Sequence, residues 1–294
     1  MRNFILGTDW WTDCDDAVAM RILTRFIKSG KICLKGIAIN ACMEYSVRSV
    51  DGFLKLDGVC DIPIGIDCEA TDFGGTPRYQ KRLAEFSKRY KSNADAEDAV
   101  RMYRRLLAES EEPIEIIEIG YPQVLAAVIE SGGDDISPES GIDLIKEKVS
   151  RFWVMAGKWD DNPGKENNFA RNERSAKGSS IFCEKCPVPV IFLGWEVGVG
   201  VITGDELDKT DFLYDVLCDH GSQNGRMSWD PMLVLLAIIG DCDKAGYDTV
   251  NGVASVDAKT GENYFRVCEE GMHKYVVKKM PDEYYKKQIN DLIK

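Results

Sequence analysis

Histidine, positive charge and long apolar runs are all scarce in this chain of 294 residues. Lysine and arginine number 37 against 49 aspartates and glutamates, a net charge of −12 with both histidines neutral. Binding to DNA or RNA through a broad cationic face is therefore excluded, because that face must replace phosphate counterions. Adsorption to an anionic membrane is disfavoured on the same ground. The longest unbroken apolar stretch, Met232 to Ile239, falls far short of the roughly 20 residues that span a bilayer. The opening MRNFILGTDWW offers only three consecutive apolar residues, too few for a secretory signal, and a cytoplasmic protein is expected. No Pro/Ser-rich linker, repeat or low-complexity run interrupts the chain, so residues 1–294 read as one domain.

The two histidines, His220 and His273, also limit the metal chemistry. Cys183 and Cys186 form the only C-x-x-C pair, and a zinc site needs a second pair or nearby histidines. With no secretory leader expected, the ten cysteines read as reduced thiols rather than a disulfide framework.

What is present is an ordinary globular composition, 44% hydrophobic and 29% charged. Strand-like and helix-like patterns alternate. Asn3 to Thr8, Leu34 to Asn40, Ile62 to Ile66, Ile114 to Ile119, Arg151 to Ala156 and Val188 to Gly194 read as strands. Asp16 to Ser29, Ser46 to Asp57 and Gln123 to Glu130 read as helices, and Gln80 to Glu112 as a solvated helix pair. The expected fold is α/β, a central, mostly parallel, Rossmann-like open sheet with helices on both faces. Ligands of such sheets sit at the carboxyl ends of the strands. That rule selects the loops at Gly7 to Asp16, Asn40 to Ser46, Gly120 to Gln123, Gly157 to Asn172 and Gly194 to Gly198.

The first of these loops, GTDWWTDCDDA, packs Asp9, Asp13, Asp15 and Asp16 between a strand and a helix. Such carboxylates repel one another, and a hard divalent cation removes the repulsion by accepting six or more oxygen ligands. The alternative is an acidic helix cap with most of the carboxylates exposed. An EF-hand fits worse, because Ala17 and Met20 stand where ligands or glycine are needed. An aspartyl-phosphate phosphatase would need D-x-D directly after the strand, and Trp10-Trp11 follow Asp9.

The motif resembles the opening of the inosine–uridine-preferring nucleoside hydrolase family, whose longer variant reads D-T-D-I-G-T-D-x-D-D-A. Gly7 replaces its first aspartate and Trp11 its glycine. Five later segments are similar in the same order. VCDIPIG resembles G-x-x-D-I-P-V-x-x-G, and IEIIEIGYPQVLAA the strand–turn–helix G-P-L-T-N-L. FWVMAG resembles the strand ending M-G-G. ENNFARNERSA is similar to E-x-N-x-x-x-D-P-x-A-A, with Asn172 at its aspartate, and SWDPMLVL to the late H-D-P segment. The resemblance implies a Ca²⁺ ion, with Mg²⁺ as the alternative, held by Asp9, Asp16, Asp230 and the backbone carbonyl of Gln123. It further implies ribose binding by Asp15, Glu166 and Asn168, with Asn40 an added substrate contact, and Asp9 as the base that deprotonates water. A homo-oligomer, dimer or tetramer, is implied as well.

The implied function is hydrolysis of the N-glycosidic bond of a nucleoside or related small ribosyl compound. The alternative is a non-catalytic nucleoside- or sugar-binding protein that keeps the metal site. A Mg²⁺-dependent phosphohydrolase fits less well, since no lysine lies near the acidic loop. Trp229 stands where many members carry the histidine that protonates the departing base, so it is expected to stack on the ligand or to pack in the core. His220, in the Gly-rich loop before it, is the one histidine near this segment. Trp10, Trp11, Trp159 and Trp195 are expected to line an aromatic pocket, and Glu196 is a further candidate.

Overall fold

The computed structural model describes residues 1–294. The elements begin β1 (Arg2–Thr8), α1 (Asp15–Lys28), β2 (Ile32–Ile39), α2 (Ser46–Leu56), β3 (Ile64–Ile66), α3 (Gln80–Ala84) and β4 (Glu97–Asp98). They continue α4 (Ala99–Ala108), β5 (Ile114–Glu118), α5 (Gln123–Glu130), α6 (Gly141–Lys148), β6 (Val149–Met155), α7 (Asn167–Ala170) and α8 (Glu173–Lys185). The last are β7 (Val190–Leu193), α9 (Trp195–Gly198), β8 (Ile202–Thr203), α10 (Phe212–His220), β9 (Arg226–Met227), α11 (Trp229–Ile239), β10 (Tyr247–Val256), β11 (Asn263–Val267), β12 (His273–Lys278) and α12 (Asp282–Ile293).

Ten strands form one sheet in the order β11-β10-β12-β7-β6-β5-β1-β2-β3-β4. Every pair from β12 to β4 is parallel, and only β10 pairs antiparallel with its two neighbours. Side chains alternate across β1, so its two faces feed two cores. Phe4 and Leu6 join the cluster built with α1, α2 and α11, whereas Ile5 joins the one built with α4, α5 and α8. The expected mostly parallel sheet with helices on both faces is therefore what the chain forms.

Two regions depart from the sequence reading. The charged stretch 80–112 is not a solvated helix pair: β4 adds the far edge of the sheet, and α4 buries Met102, Tyr103 and Leu107. High charge hid an amphipathic face whose apolar residues recur at helical spacing. The β10–β12 segment, for which the sequence reading named no element, forms the opposite edge. From β1 the chain runs outward to β4 on one side and to β7 on the other. The reversal falls between β1 and β5, where such sheets open a crevice.

Candidate active site

At that crevice lies a cavity of about 320 Å³ lined by residues from both ends of the chain. Asp9 follows β1, Asp15 and Asp16 open α1, and Asp230 lies in the first turn of α11. The helices α1 and α11 pack side by side. The backbone N–H of Asp230 donates to Asp15 Oδ2 at 3.3 Å, which ties the two helix starts together. Oxygens of Asp15, Asp16 and Asp230 all lie within 4.8 Å of one another, and all three residues are buried. The acidic-cap alternative, which needs exposed carboxylates, does not describe them.

None of Asp9, Asp15, Asp16 and Asp230 forms a salt bridge, whereas Asp13 is bound through both oxygens to Arg226 at 2.8 and 2.5 Å. This donor set, all oxygen and without a balancing side-chain cation, suits a hard divalent ion. Without such an ion, burial pushes Asp9 up from 3.8 to about 8, aided by the charges of Asp15, Asp13 and Glu118. Burial, then neighbouring carboxylates, raises Asp15, Asp16 and Asp230 well above the usual range.

A carboxyl with a higher pKa folded than unfolded favours the fold only while protonated. That contribution is complete below 3.8 and is lost as pH rises through about 8. A divalent ion needs ionised ligands and removes the penalty. Ca²⁺ should therefore raise Tm more at about pH 8 than at about pH 5. Equal shifts in differential scanning at the two pH values would exclude these carboxylates as the ligands.

The loop that carries Asp9 is fixed by Trp10, whose φ of 44° lies in the left-handed region that β-carbon-bearing residues avoid. Its indole is clamped edge-on between Phe53 and Tyr79 and donates to Ser49 Oγ at 2.8 Å. Trp10 is thus an anchor and does not line the cavity. Trp159 does not either, being packed among Phe169, Phe192, Phe265 and Tyr275. Trp11, Trp195 and Trp229 do line it. Trp229 Nε1 donates to the Trp195 carbonyl at 2.7 Å.

Glu166 and Asn168 both line the cavity. Glu166 caps the single turn α7, accepting from Asn168 N at 2.7 Å, and its other oxygen accepts from Gly157 N at 3.0 Å. Burial raises its carboxyl to about 7. Asn172 caps α8 through Ser175 N. Glu196 accepts from Trp159 N and stays outside the cavity.

Two expected contacts do not line the cavity. The Asn40 side chain is fully buried, donating to Glu118 Oε1 at 2.7 Å and accepting from Tyr121 N at 3.0 Å. Gln123 donates to the Asn40 carbonyl, and its backbone packs against Gly178 of α8. Ile119 and Tyr121 are the members of that turn that reach the cavity. His220 is also outside it, with Nε2 3.7 Å from Asp13 Oδ1 and Nδ1 2.7 Å from Ser222 Oγ. Sequence reasoning missed Tyr121, Arg171 and Arg226, which line the cavity. All three lie in stretches it had picked out, and nothing local distinguishes them from solvated loop residues.

The glycine at position 7 has a structural counterpart. Gly7 pairs with Glu118 on β5, and a β-carbon on Gly7 would lie 2.1 Å from Glu118 Oε2. The carboxylate absent from β1 is thus replaced in space by one from β5, held by Asn40 and by Gly120 N at 2.9 Å. Burial pushes it up to about 8. Gly7→Ala should cost about 1–3 kcal/mol by overpacking, and much less in a Glu118→Ala background. Urea unfolding of the four proteins checks this, and equal costs in both backgrounds would rule out the steric pairing.

No protein-family model matches the sequence, and no curated protein matches it. Solved structures do. The inosine–uridine preferring nucleoside hydrolase from Bacillus anthracis superposes with a TM-score of 0.67 at 15% identity, covering 100% of this chain and 99% of the other. The purine-preferring ribonucleoside hydrolase from Gardnerella vaginalis gives 0.71 at 14% identity, covering 99% of both chains.

This chain has the nucleoside hydrolase fold.

The type III effector protein XopQ, in its complex with adenosine diphosphate ribose, is a further neighbour, with a TM-score of 0.68, 13% identity and coverage of 99% and 93%. Within the nucleoside hydrolase fold of this chain, the buried acidic cluster and the Glu166–Asn168 pair share the crevice at the sheet's reversal. No helix is long and apolar enough to cross a membrane.

Proposed function

We propose that the protein is a divalent-metal-dependent N-ribosyl hydrolase acting on a nucleoside or related ribosyl compound, with Ca²⁺ the favoured ion. The observation that carries this reading is the joining, in one cavity, of unpaired buried carboxylates from both chain ends with the Glu166–Asn168 pair. Asp9, Asp16 and Asp230 are assigned to the metal. The Gln123 carbonyl is left out, since that residue does not line the cavity. A divalent ion held there supplies acidification and orientation of a water.

The chain's own residues do the rest. Asp9 accepts the water proton as oxygen attacks the anomeric carbon. Asp15, Glu166 and Asn168 hold the ribose hydroxyls, and the surrounding carboxylates favour the oxocarbenium-like charge that develops only in the transition state. Nucleoside hydrolases among the structural neighbours support this reading. A second reading, ribosyl binding without hydrolysis, is favoured by Trp229, which cannot supply the proton of a histidine.

Release of base or ribose from a panel of ribosides, abolished by chelation and restored by Ca²⁺, is the expected result. A rate indifferent to chelator sinks the metal assignment. No release from any riboside, with Ca²⁺ bound, favours the second reading. Removal of the 2′-hydroxyl leaves buried acceptors unpaired, at roughly 1–3 kcal/mol, which lowers kcat/KM by about 5- to 150-fold. Equal turnover of a riboside and its 2′-deoxy analogue would contradict the assignment of Asp15, Glu166 and Asn168.

A further inference from the structure

The cavity holds no histidine to protonate a departing base. Trp229 Nε1 is committed to the Trp195 carbonyl, and an indole N–H is no acid. Arg226, always charged, is held by both oxygens of Asp13. Arg171 donates to the Phe73 carbonyl at 2.7 Å. Glu166, although raised to about 7 by burial, accepts backbone N–H groups on both oxygens and is assigned to the ribose rather than to the base. Burial raises the Tyr121 phenol, the wrong direction for an acid.

The same lining is strongly acidic. Asp9, Asp13, Asp15, Asp16, Glu166 and Asp230 face it against only Arg171 and Arg226, so with all six ionised a divalent ion would still leave two negative charges in excess. In a half-buried cavity such an excess attracts a cation far more than it would in water. Its wall is also aromatic. Trp195 lines it with 39% of its surface exposed, beside Trp229 and Tyr121. Arg226 already lies over Trp229, 5.5 Å from the ring centroid, so a planar cation is a fitting neighbour for this surface.

We propose that this site is built for ribosyl compounds whose leaving group is a positively charged heteroaromatic ring, an N-ribosylpyridinium or a similar quaternary azolium. The proposal rests on the hydrolase reading above and names its substrate class. The chemistry balances without an acid. The bond from C1′ to the ring nitrogen breaks and its electron pair neutralises that nitrogen. Water oxygen bonds to C1′, its proton passes to Asp9, and the products are ribose, neutral pyridine and one proton. Neutral purine and pyrimidine nucleosides, which must expel an anion or be protonated, are the poor substrates.

N-ribosylpyridinium and inosine are compared with Ca²⁺ present, each rate divided by that of the uncatalysed reaction. The acceleration should be about 10²–10⁴-fold greater for the pyridinium riboside, the factor a missing general acid removes from inosine. In the Asp9→Asn protein, where turnover is slow, calorimetry should show tighter binding of the pyridinium riboside than of inosine. Trp195→Leu should weaken that binding by roughly 2- to 30-fold, the range of a cation–π contact. Equal accelerations would overturn the proposal while leaving the hydrolase reading intact, and Arg226 would become the candidate electrophile. No cleavage of either compound removes the hydrolase reading, and affinity then decides: preference for the cation upholds the ligand class, and equal or tighter binding of inosine overturns it.

Discussion

Asp9→Asn should lower kcat for riboside hydrolysis by about 10²–10⁴-fold, the usual contribution of a positioned general base. Asp9 sits where β1 ends, its Oδ1 accepting from Trp11 N at 3.2 Å, and the left-handed Trp10 between them fixes the turn. Burial and the neighbouring carboxylates hold its pKa near 8, so in the absence of a cation it is protonated at neutral pH and becomes a base only when positive charge enters the cluster. Rate and metal binding can be separated, because the asparagine amide still offers an oxygen but no base, and Asp16 and Asp230 remain within 4.8 Å of one another. Saturating Ca²⁺ should therefore bind the variant, seen by calorimetry, without restoring turnover. A loss smaller than about tenfold at saturating Ca²⁺ is incompatible with Asp9 as the base.

The legible parts of this site were those whose chemistry lies within a few residues. Four aspartates in eight positions announce themselves, and alternating strand and helix patterns place them at a strand end. Asp230 was reachable only by resemblance, since nothing in SWDP says that α11 packs beside α1. Gly7 was legible as a missing carboxylate, but its replacement by Glu118 depends on the register of β1 against β5, which no local pattern reveals. Asn40 illustrates the opposite failure. It sits at a strand end as a ligand-contacting residue should, yet its amide is consumed by Glu118 and Tyr121. Trp10 and Trp159 failed similarly, because an indole beside a site loop is as well suited to holding the loop as to facing the ligand.

The second large effect concerns the leaving group. p-Nitrophenyl riboside expels an anion stable enough to depart without a proton, whereas inosine and uridine do not. With Trp229 in place of a protonating histidine, the natural nucleosides lose what general-acid catalysis supplies, about 10²–10⁴-fold in rate. Turnover of p-nitrophenyl riboside should exceed that of inosine or uridine by about that factor. Trp229→His alone should not recover it: the indole is hydrogen-bonded to the Trp195 carbonyl, and a β-carbon on Gly198 would lie 2.4 Å from its ring, so the wall is shaped around tryptophan. His220 is poorly placed to substitute. It meets the cavity only through Asp13, and burial lowers its pKa despite the charge of that carboxylate. Equal rates for inosine and p-nitrophenyl riboside would require another proton source, and His220→Ala would then be the first variant to measure, since Asp13 connects that imidazole to the cavity.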